Sequence, residues 1–208
     1  MRLPLSSPLL ALAVLSGCAF TDGRLTLPDK VSSVSAAGGL GRTVVIVAPF
    51  ADVRAHPNRC GMQKNGYNMD TADAICDRDP AEWIATVLAR QLTAAGFHVV
   101  ATSSEADAAS LQVQGELVQF FVEPVIGFWT GSLEADLAVR LVAESADGLL
   151  AERRFFAKGV RGGQLFSVRG AYQLALERAT DEIVSEMVLA ILELADKYQG
   201  AVSDATSH

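Results

Sequence analysis

Leu111-Gln-Val-Gln-Gly-Glu-Leu-Val-Gln-Phe-Phe121 and Leu133-Glu-Ala-Asp-Leu-Ala-Val-Arg-Leu141 both step in twos, and that period decides the fold class. Successive side chains of a strand point to opposite faces, so this period marks a half-buried β-strand. In the first run Leu111, Val113, Gly115, Leu117, Gln119 and Phe121 share one phase, against Gln112, Gln114, Glu116, Val118 and Phe120. In the second, Leu133, Ala135, Leu137, Val139 and Leu141 oppose Glu134, Asp136, Ala138 and Arg140, which leaves one face wet. Glu123 to Gly131, with Pro124, Gly127 and Gly131, predicts the hairpin loop between them. Ala146-Asp147-Gly148 signals another tight turn. After it, Leu150 to Val160 reads as a further strand with Glu152, Arg154 and Lys158 in one phase.

Upstream, Thr43-Val-Val-Ile-Val-Ala-Pro-Phe50 is a β-branched run that predicts a buried first strand. A long loop, Ala51 to Asp79, follows it. Asp79-Pro80-Ala81-Glu82 then offers an N-cap, a proline at the first helical position and a glutamate at the third. Ile84, Val87, Leu88, Gln91, Leu92 and Ala95 form one mostly apolar face, and Gly96 stops the helix. Phe97 to Ala101 reads as a strand, and Ser103 to Ala109 as a short helical turn. At the far end Tyr172, Leu176, Ala179, Ile183, Met187, Ala190, Ile191 and Leu194 recur at helical steps, so a long amphipathic helix runs from roughly Arg169 to Tyr198. Its stripe either packs on the sheet or waits for a partner. The order predicts an α+β fold, a two-layer sandwich in which a mixed, mostly antiparallel sheet of about five strands carries two main helices on one face.

The first residues carry an address. Arg2 is followed by the apolar run Leu9 to Leu15, too short to cross a bilayer as a helix. It reads as the h-region of a signal peptide, residues 1–17. Leu15-Ser16-Gly17-Cys18 resembles the bacterial lipobox. That resemblance implies acylation of the Cys18 sulfur and cleavage before it, and two or three chains make a stable tether. Ala19, where an acidic residue tends to retain lipoproteins at the inner membrane, implies by the same resemblance the outer membrane, with the domain facing the periplasm. Residues 18–42, rich in Gly, Ser, Ala and Thr, read as a lipidated N-terminus and flexible linker. Residues 43–198 form a single periplasmic domain, and residues 199–208 a disordered tail.

Removing residues 1–17 takes away one basic residue and no acid. The remaining 16 bases against 24 acids leave a formal charge of −8. With no basic stripe, such a surface repels phosphate backbones, which argues against a nucleic-acid partner. Cys60 and Cys76 remain as an even pair in a chain bound for an oxidising space, and a disulfide is the natural reading. Two free thiols or half of a metal site are the alternatives, though the spacing lacks the close ligand pairs of zinc sites.

With this order of elements the chain resembles the YajG-type family of outer-membrane lipoproteins, and more distantly lipoproteins with a TolB N-terminal-like domain. The matching pieces are the lipobox Leu15 to Cys18, the strand Val44 to Ala48, and the unit from Trp83 through Leu88 and Leu92 to Gly96-Phe97. The hairpin from Leu111 to Gly159 and the terminal helix also match. The resemblance implies a fold and an address, not a reaction; the cysteine-bracketed loop is an elaboration on it.

Catalytic signatures are missing: no G-x-S-x-G elbow, H-E-x-x-H or Walker loop is present. Gly38-Gly39-Leu40-Gly41-Arg42 precedes a strand instead of opening a helix, so it is no phosphate cradle. His56, His98 and His208 are scattered. Asp70, Asp73, Asp77 and Asp79 lack calcium-loop spacing, and Glu116, Glu134 and Asp136 fall in solvated strand phases. The expectation is therefore no enzyme, no cofactor and no metal. Two apolar features are candidate partner contacts. Phe128 and Trp129 occupy the hairpin loop and either face a partner or fold back on the core. Tyr67, in Asn65-Gly66-Tyr67-Asn68-Met69 between the cysteines, is either a stapled recognition element or part of a structural turn. The function expected is a lipid-anchored accessory or scaffold domain for an envelope protein assembly. The alternative is an auxiliary carrier of lipid or another hydrophobic ligand for a transport system.

Overall fold

The computed structural model describes residues 21–28, 36–101, 110–127, 131–146, 148–162 and 168–205. Eight strands and two helices follow in the order β1 (Gly23–Leu25), β2 (Thr43–Asp52), β3 (Gly61–Lys64), β4 (Asp70–Cys76), α1 (Pro80–Ala94), β5 (His98–Val100), β6 (Leu111–Ile126), β7 (Gly131–Ser145), β8 (Gly148–Gly162) and α2 (Val168–Ala205). All eight strands join one curled mixed sheet, a half-barrel. This corrects the expected two-layer sandwich of about five strands. The long pairs β6–β7 and β7–β8 are antiparallel, as is β3–β4. The pairs β1–β4, β2–β5, β2–β6 and β3–β6 are parallel.

Strand β6 is the spine. One edge pairs with β7 along its whole length, while the other serves β2 between Leu111 and Leu117 and then β3 at Val122. A bulge at Val118, where the register with β7 shifts between Leu117 and Gln119, makes this possible. One extra residue reverses which side chains point inward. Up to Leu117 the odd positions are buried; beyond it the even positions Phe120, Val122 and Pro124 are. The single phase expected through Phe121 is thus corrected: Phe120 enters the core and Phe121 does not. Pro124 is also a strand residue paired with Leu133, not a loop residue, so the turn is shorter than Glu123 to Gly131. The Val122 N–H points away from β7, to the Cys60 carbonyl at 2.9 Å. Two positions on, a missing N–H therefore removes no bond to β7.

The helix α1 starts as its sequence dictates. The Asp79 carboxylate accepts from the N–H groups of Ala81 and Glu82 at 2.7 and 3.2 Å, with Pro80 opening the helix. At its end Gly96 takes φ +95°, and the Phe97 N–H returns to the Leu92 carbonyl at 3.0 Å. The glycine run finds its purpose here. Gly38 and Gly39 donate to the Ala95 carbonyl at 3.2 and 2.9 Å, and Gly41 to that of Gly96 at 2.8 Å. A Cβ on Gly39 would lie 2.3 Å from the Gly96 carbonyl carbon, so only glycine fits. This loop closes the orphan carbonyls of α1.

The core joins the inward residues of β6, β7 and β8 to Ile84, Leu88 and Leu92 of α1 and to Leu176, Ile183, Met187 and Ile191 of α2, all of them buried. The stripe on α2 packs on the sheet. The helix runs to Ala205, into the span expected as a disordered tail. The expected linker is also partly structured. Within it β1 pairs with β4, and Leu25 and Leu27 are buried. The Trp83 indole N–H donates to the Pro28 carbonyl at 3.1 Å and clasps the segment to α1. The short turn expected at Ser103 to Ala109 lies outside the described residues.

Candidate functional site

The long loop between β2 and α1 is a stapled hairpin. Short strands β3 and β4 pair from Gly61↔Ala74 outward, and Cys60 and Cys76 form a disulfide at the root, with their Cα atoms 5.6 Å apart. The tip, Asn65 to Met69, is ordered by one side chain: Asn65 Oδ1 accepts from the N–H groups of Tyr67 at 3.0 Å and Met69 at 3.1 Å. The Asn68 N–H reaches the Asn65 carbonyl at 2.9 Å, and Asn68 itself sits at φ +61°, where asparagine is tolerated. The result holds Tyr67 86% exposed and Met69 56% exposed. Tyr67 is therefore both an exposed residue and part of a structural turn.

The root of the hairpin is bolted to β6 by Arg54. Its guanidinium makes a two-pronged pair with Asp52, Nε to Oδ1 at 2.9 Å and Nη2 to Oδ2 at 2.7 Å. It also donates to the carbonyls of Arg59 at 3.0 Å, Phe120 at 3.4 Å and Pro57, and lies 5.8 Å from the Phe120 ring centre. Burial pushes the Asp52 carboxyl up, but the hydrogen bonds and charge of Arg54 outweigh it and leave the pKa below its ordinary value. Arg59 pairs with Asp73 at 2.7 Å, and its guanidinium lies 5.4 Å from the centre of the Phe121 ring. Across the sheet the Tyr172 hydroxyl donates to the Met62 carbonyl at 3.1 Å. Burial, aided by the charge of Glu123, pushes this phenol up to about 12.

The face of β6, β7 and β8 turned away from the helices is a ladder of charges. Arg140 bridges Glu116 at 2.9 Å and Glu152 at 2.8 Å, and Lys158 bridges Glu134 at 2.6 Å and reaches Asp136 at 3.8 Å. The hydrogen bond donated by Arg140 holds Glu152 below the usual carboxylate range, and the one Lys158 donates to Glu134 raises the pKa of Lys158. Apolar side chains interrupt the ladder. Phe156 is 56% exposed, beside Ala138 and near Val118 of the bulge.

Of the residues singled out by sequence, Cys60 and Cys76 are bonded to each other and Tyr67 stands at the hairpin tip. Cys18, Phe128 and Trp129 lie outside the described residues. The four aspartates disperse: Asp73 binds Arg59, Asp77 accepts the Leu27 N–H at 3.1 Å, Asp79 caps α1, and Asp70 opens β4. Among the described residues no three His, Cys, Asp or Glu side chains stand close enough to hold a metal ion. Sequence reasoning missed Arg54 and Phe156. The local Asp52-x-Arg54 spacing hints at the first; the even phase of β8, which Phe156 shares with Glu152, Arg154 and Lys158, could have found the second.

A family model described as "uncharacterized lipoprotein" matches residues 42–190. The chain belongs to this family, the YajG-type lipoproteins, and is thereby a membrane-anchored protein of the cell envelope. Among the described residues no helix is long and apolar enough to cross a membrane. The fold is similar to that of protein XCC0632 from Xanthomonas campestris: 13% identity and a TM-score of 0.61, covering 85% of this chain and 98% of that one. PelC from Paraburkholderia phytofirmans, solved as a dodecamer, is 16% identical over 74% of this chain and 93% of its own, with a TM-score of 0.38. Lipoprotein GNA1162 from Neisseria meningitidis is 11% identical, over 75% and 99%, with a TM-score of 0.32. The likeness to XCC0632 speaks to the fold alone. No curated protein matches the sequence.

Proposed function

We propose that this lipoprotein is a non-enzymatic domain, anchored through Cys18 to the outer membrane and facing the periplasm, that docks or supports an envelope protein assembly. The observation that carries the reading is the β6–β7–β8 face. Neither helix covers it, and Phe156 stands there among paired charges. An exposed aromatic within a polar rim is the pattern of a protein contact surface. Glu116, Glu152, Glu134 and Asp136 on that face, the nearest thing to acid–base machinery, are tied into ion pairs with Arg140 and Lys158. Ala19, after the lipidated position, supports the outer-membrane address.

A carrier of hydrophobic ligands would need room between sheet and helix. The gap under α2 lined by Val113, Leu141, Phe155 and Ile191 measures about 10 Å³, space for one water at most. Among the described residues that geometry favours docking over carriage.

Site-specific photocrosslinking in intact cells tests the proposal. A photoreactive residue at position 156 is expected to trap one discrete envelope protein, and the same residue at the exposed Glu182 of α2 is not. The adduct should vanish in a Cys18→Ser chain, which should also lose radioactive fatty-acid label. Equal trapping at both positions, or none at 156, counts against docking through this face; a Cys18→Ser chain that keeps its label counts against the anchor.

A further inference from the structure

The domain starts much nearer its anchor than a linker of residues 18–42 implies. Against β4 the chain is held from Thr21 onward. Gly23 lies opposite Ala74, the Asp22 carboxylate accepts the Asp73 N–H at 3.1 Å, and the Gln63 side-chain amide donates to the Thr21 carbonyl at 3.3 Å. Strands β1 and β4 run in the same direction, so Thr21 sits at the end of the sheet where β3 turns into β4. Cys18 precedes it by three residues, and three residues span at most about 10 Å. Thr21 is in turn about three strand steps, roughly 10 Å, from the Met69 end of the hairpin tip. Acyl chains on Cys18 would therefore enter the bilayer next to that tip.

The tip suits such a neighbour. Asn65-Gly66-Tyr67-Asn68-Met69 carries no charge in a chain that is acidic overall, so it can approach an anionic leaflet that would repel most of this surface. Tyrosine places an apolar ring and a polar hydroxyl at the depth of lipid headgroups, and methionine adds a flexible apolar contact. The Asn65 side chain and the disulfide at the root hold both side chains out, which lowers the ordering cost of contact. We propose that the β3–β4 tip, through Tyr67 and Met69, rests in the lipid–water interface beside the anchor and fixes the orientation of the domain on the membrane. The occupant is the phospholipid leaflet that holds the anchor. The inference rests on lipidation of Cys18, as does the proposed function.

The test uses the full lipidated chain with Tyr67→Trp in a Trp129→Phe background, where the other tryptophan, Trp83, is buried. It is floated on vesicles of phosphatidylethanolamine and phosphatidylglycerol. Expected are a blue shift of the added emission relative to the chain in solution and its quenching by phospholipid brominated near the headgroup. A matched chain with tryptophan at Glu182 should show neither. Flotation without shift or quenching overturns the tip contact and leaves the anchor standing. Failure to float, matched by Cys18→Ser, overturns both. A shift confined to native envelope vesicles, with no quenching by brominated lipid, assigns the tip to a protein and also overturns the proposal.

Discussion

Gly159 of β8 lies directly under α2: a Cβ built on it would stand 1.9 Å from the Ala175 carbonyl oxygen and 2.6 Å from the Ala179 nitrogen. Backbone cannot yield as a flexible side chain can. Helix and strand meet here without any side chain between them, and this contact sets how closely α2 approaches the sheet.

Gly159→Ala is therefore expected to force α2 off β8 and destabilise the domain by about 1–3 kcal/mol or more, the range of overpacked cores. Gly162→Ala, three positions on in the same strand, meets nothing within 4 Å and should be near neutral. Thermal melts of the two variants side by side check this. Equal melting temperatures would refute the close approach.

Leu27 tests where the folded domain begins. As linker it would tolerate any substitution. As a fully buried residue, with its N–H on Asp77 and its carbonyl accepting from Arg78 at 2.7 Å, it should not. Leu27→Ala is expected to cost about 2–5 kcal/mol by urea unfolding, and a change under half a kcal/mol would return the segment to the linker.

Reduction of the Cys60–Cys76 bond, or the Cys60→Ala/Cys76→Ala pair, should lower stability by about 3 kcal/mol for a loop of this length. It should also speed amide exchange at Tyr67 and Met69, since the root of the hairpin is released. Exchange unchanged at the tip would mean that Asn65 alone orders it.

Acid should act through Asp52. Its folded pKa lies below the ordinary 3.8 because Arg54 outweighs the effect of burial. Such a group lends its full stabilisation above the unfolded value and loses it as pH falls through the depressed one. Asp52→Asn is thus expected to be less stable than wild type at neutral pH, by about 1–3 kcal/mol for a weakened charged hydrogen-bond network. The gap should close as unfolding is measured from pH 4 downward; a gap independent of pH would contradict the Arg54 node.

Strand β7 and the cap of α1 were legible because each obeys one local rule over its length: strict alternation in the first, Asp79-Pro80 in the second. Elsewhere local rules compete with partners distant in sequence. Nothing in Gly23–Leu25 is strand-like until β4 lies beside it, and β3 is four residues with no apolar period. The bulge at Val118 could not be read from alternation, since inserting one residue leaves both phases plausible on their own. Of the candidate contacts, Tyr67 was legible as a residue between two cysteines, but its exposure depends on the Asn65 turn, a feature of geometry. Phe156 was hidden in plain view: its phase was polar, and an aromatic among charges has meaning only when no helix covers that face.

The two-sided pairing of β6 has a last consequence, for the birth of the chain. Synthesis delivers β2 at residues 43–52, yet its main partner begins only at Leu111, and β1 must wait for β4. Until β5 at residues 98–100 and then β6 are made, Val44, Val45 and Ile46 have no strand beside them. Parallel pairs closed over such separations are characteristic of slow folders and leave sticky intermediates exposed. A nascent chain of this design leaves those apolar residues uncovered until its second half is made.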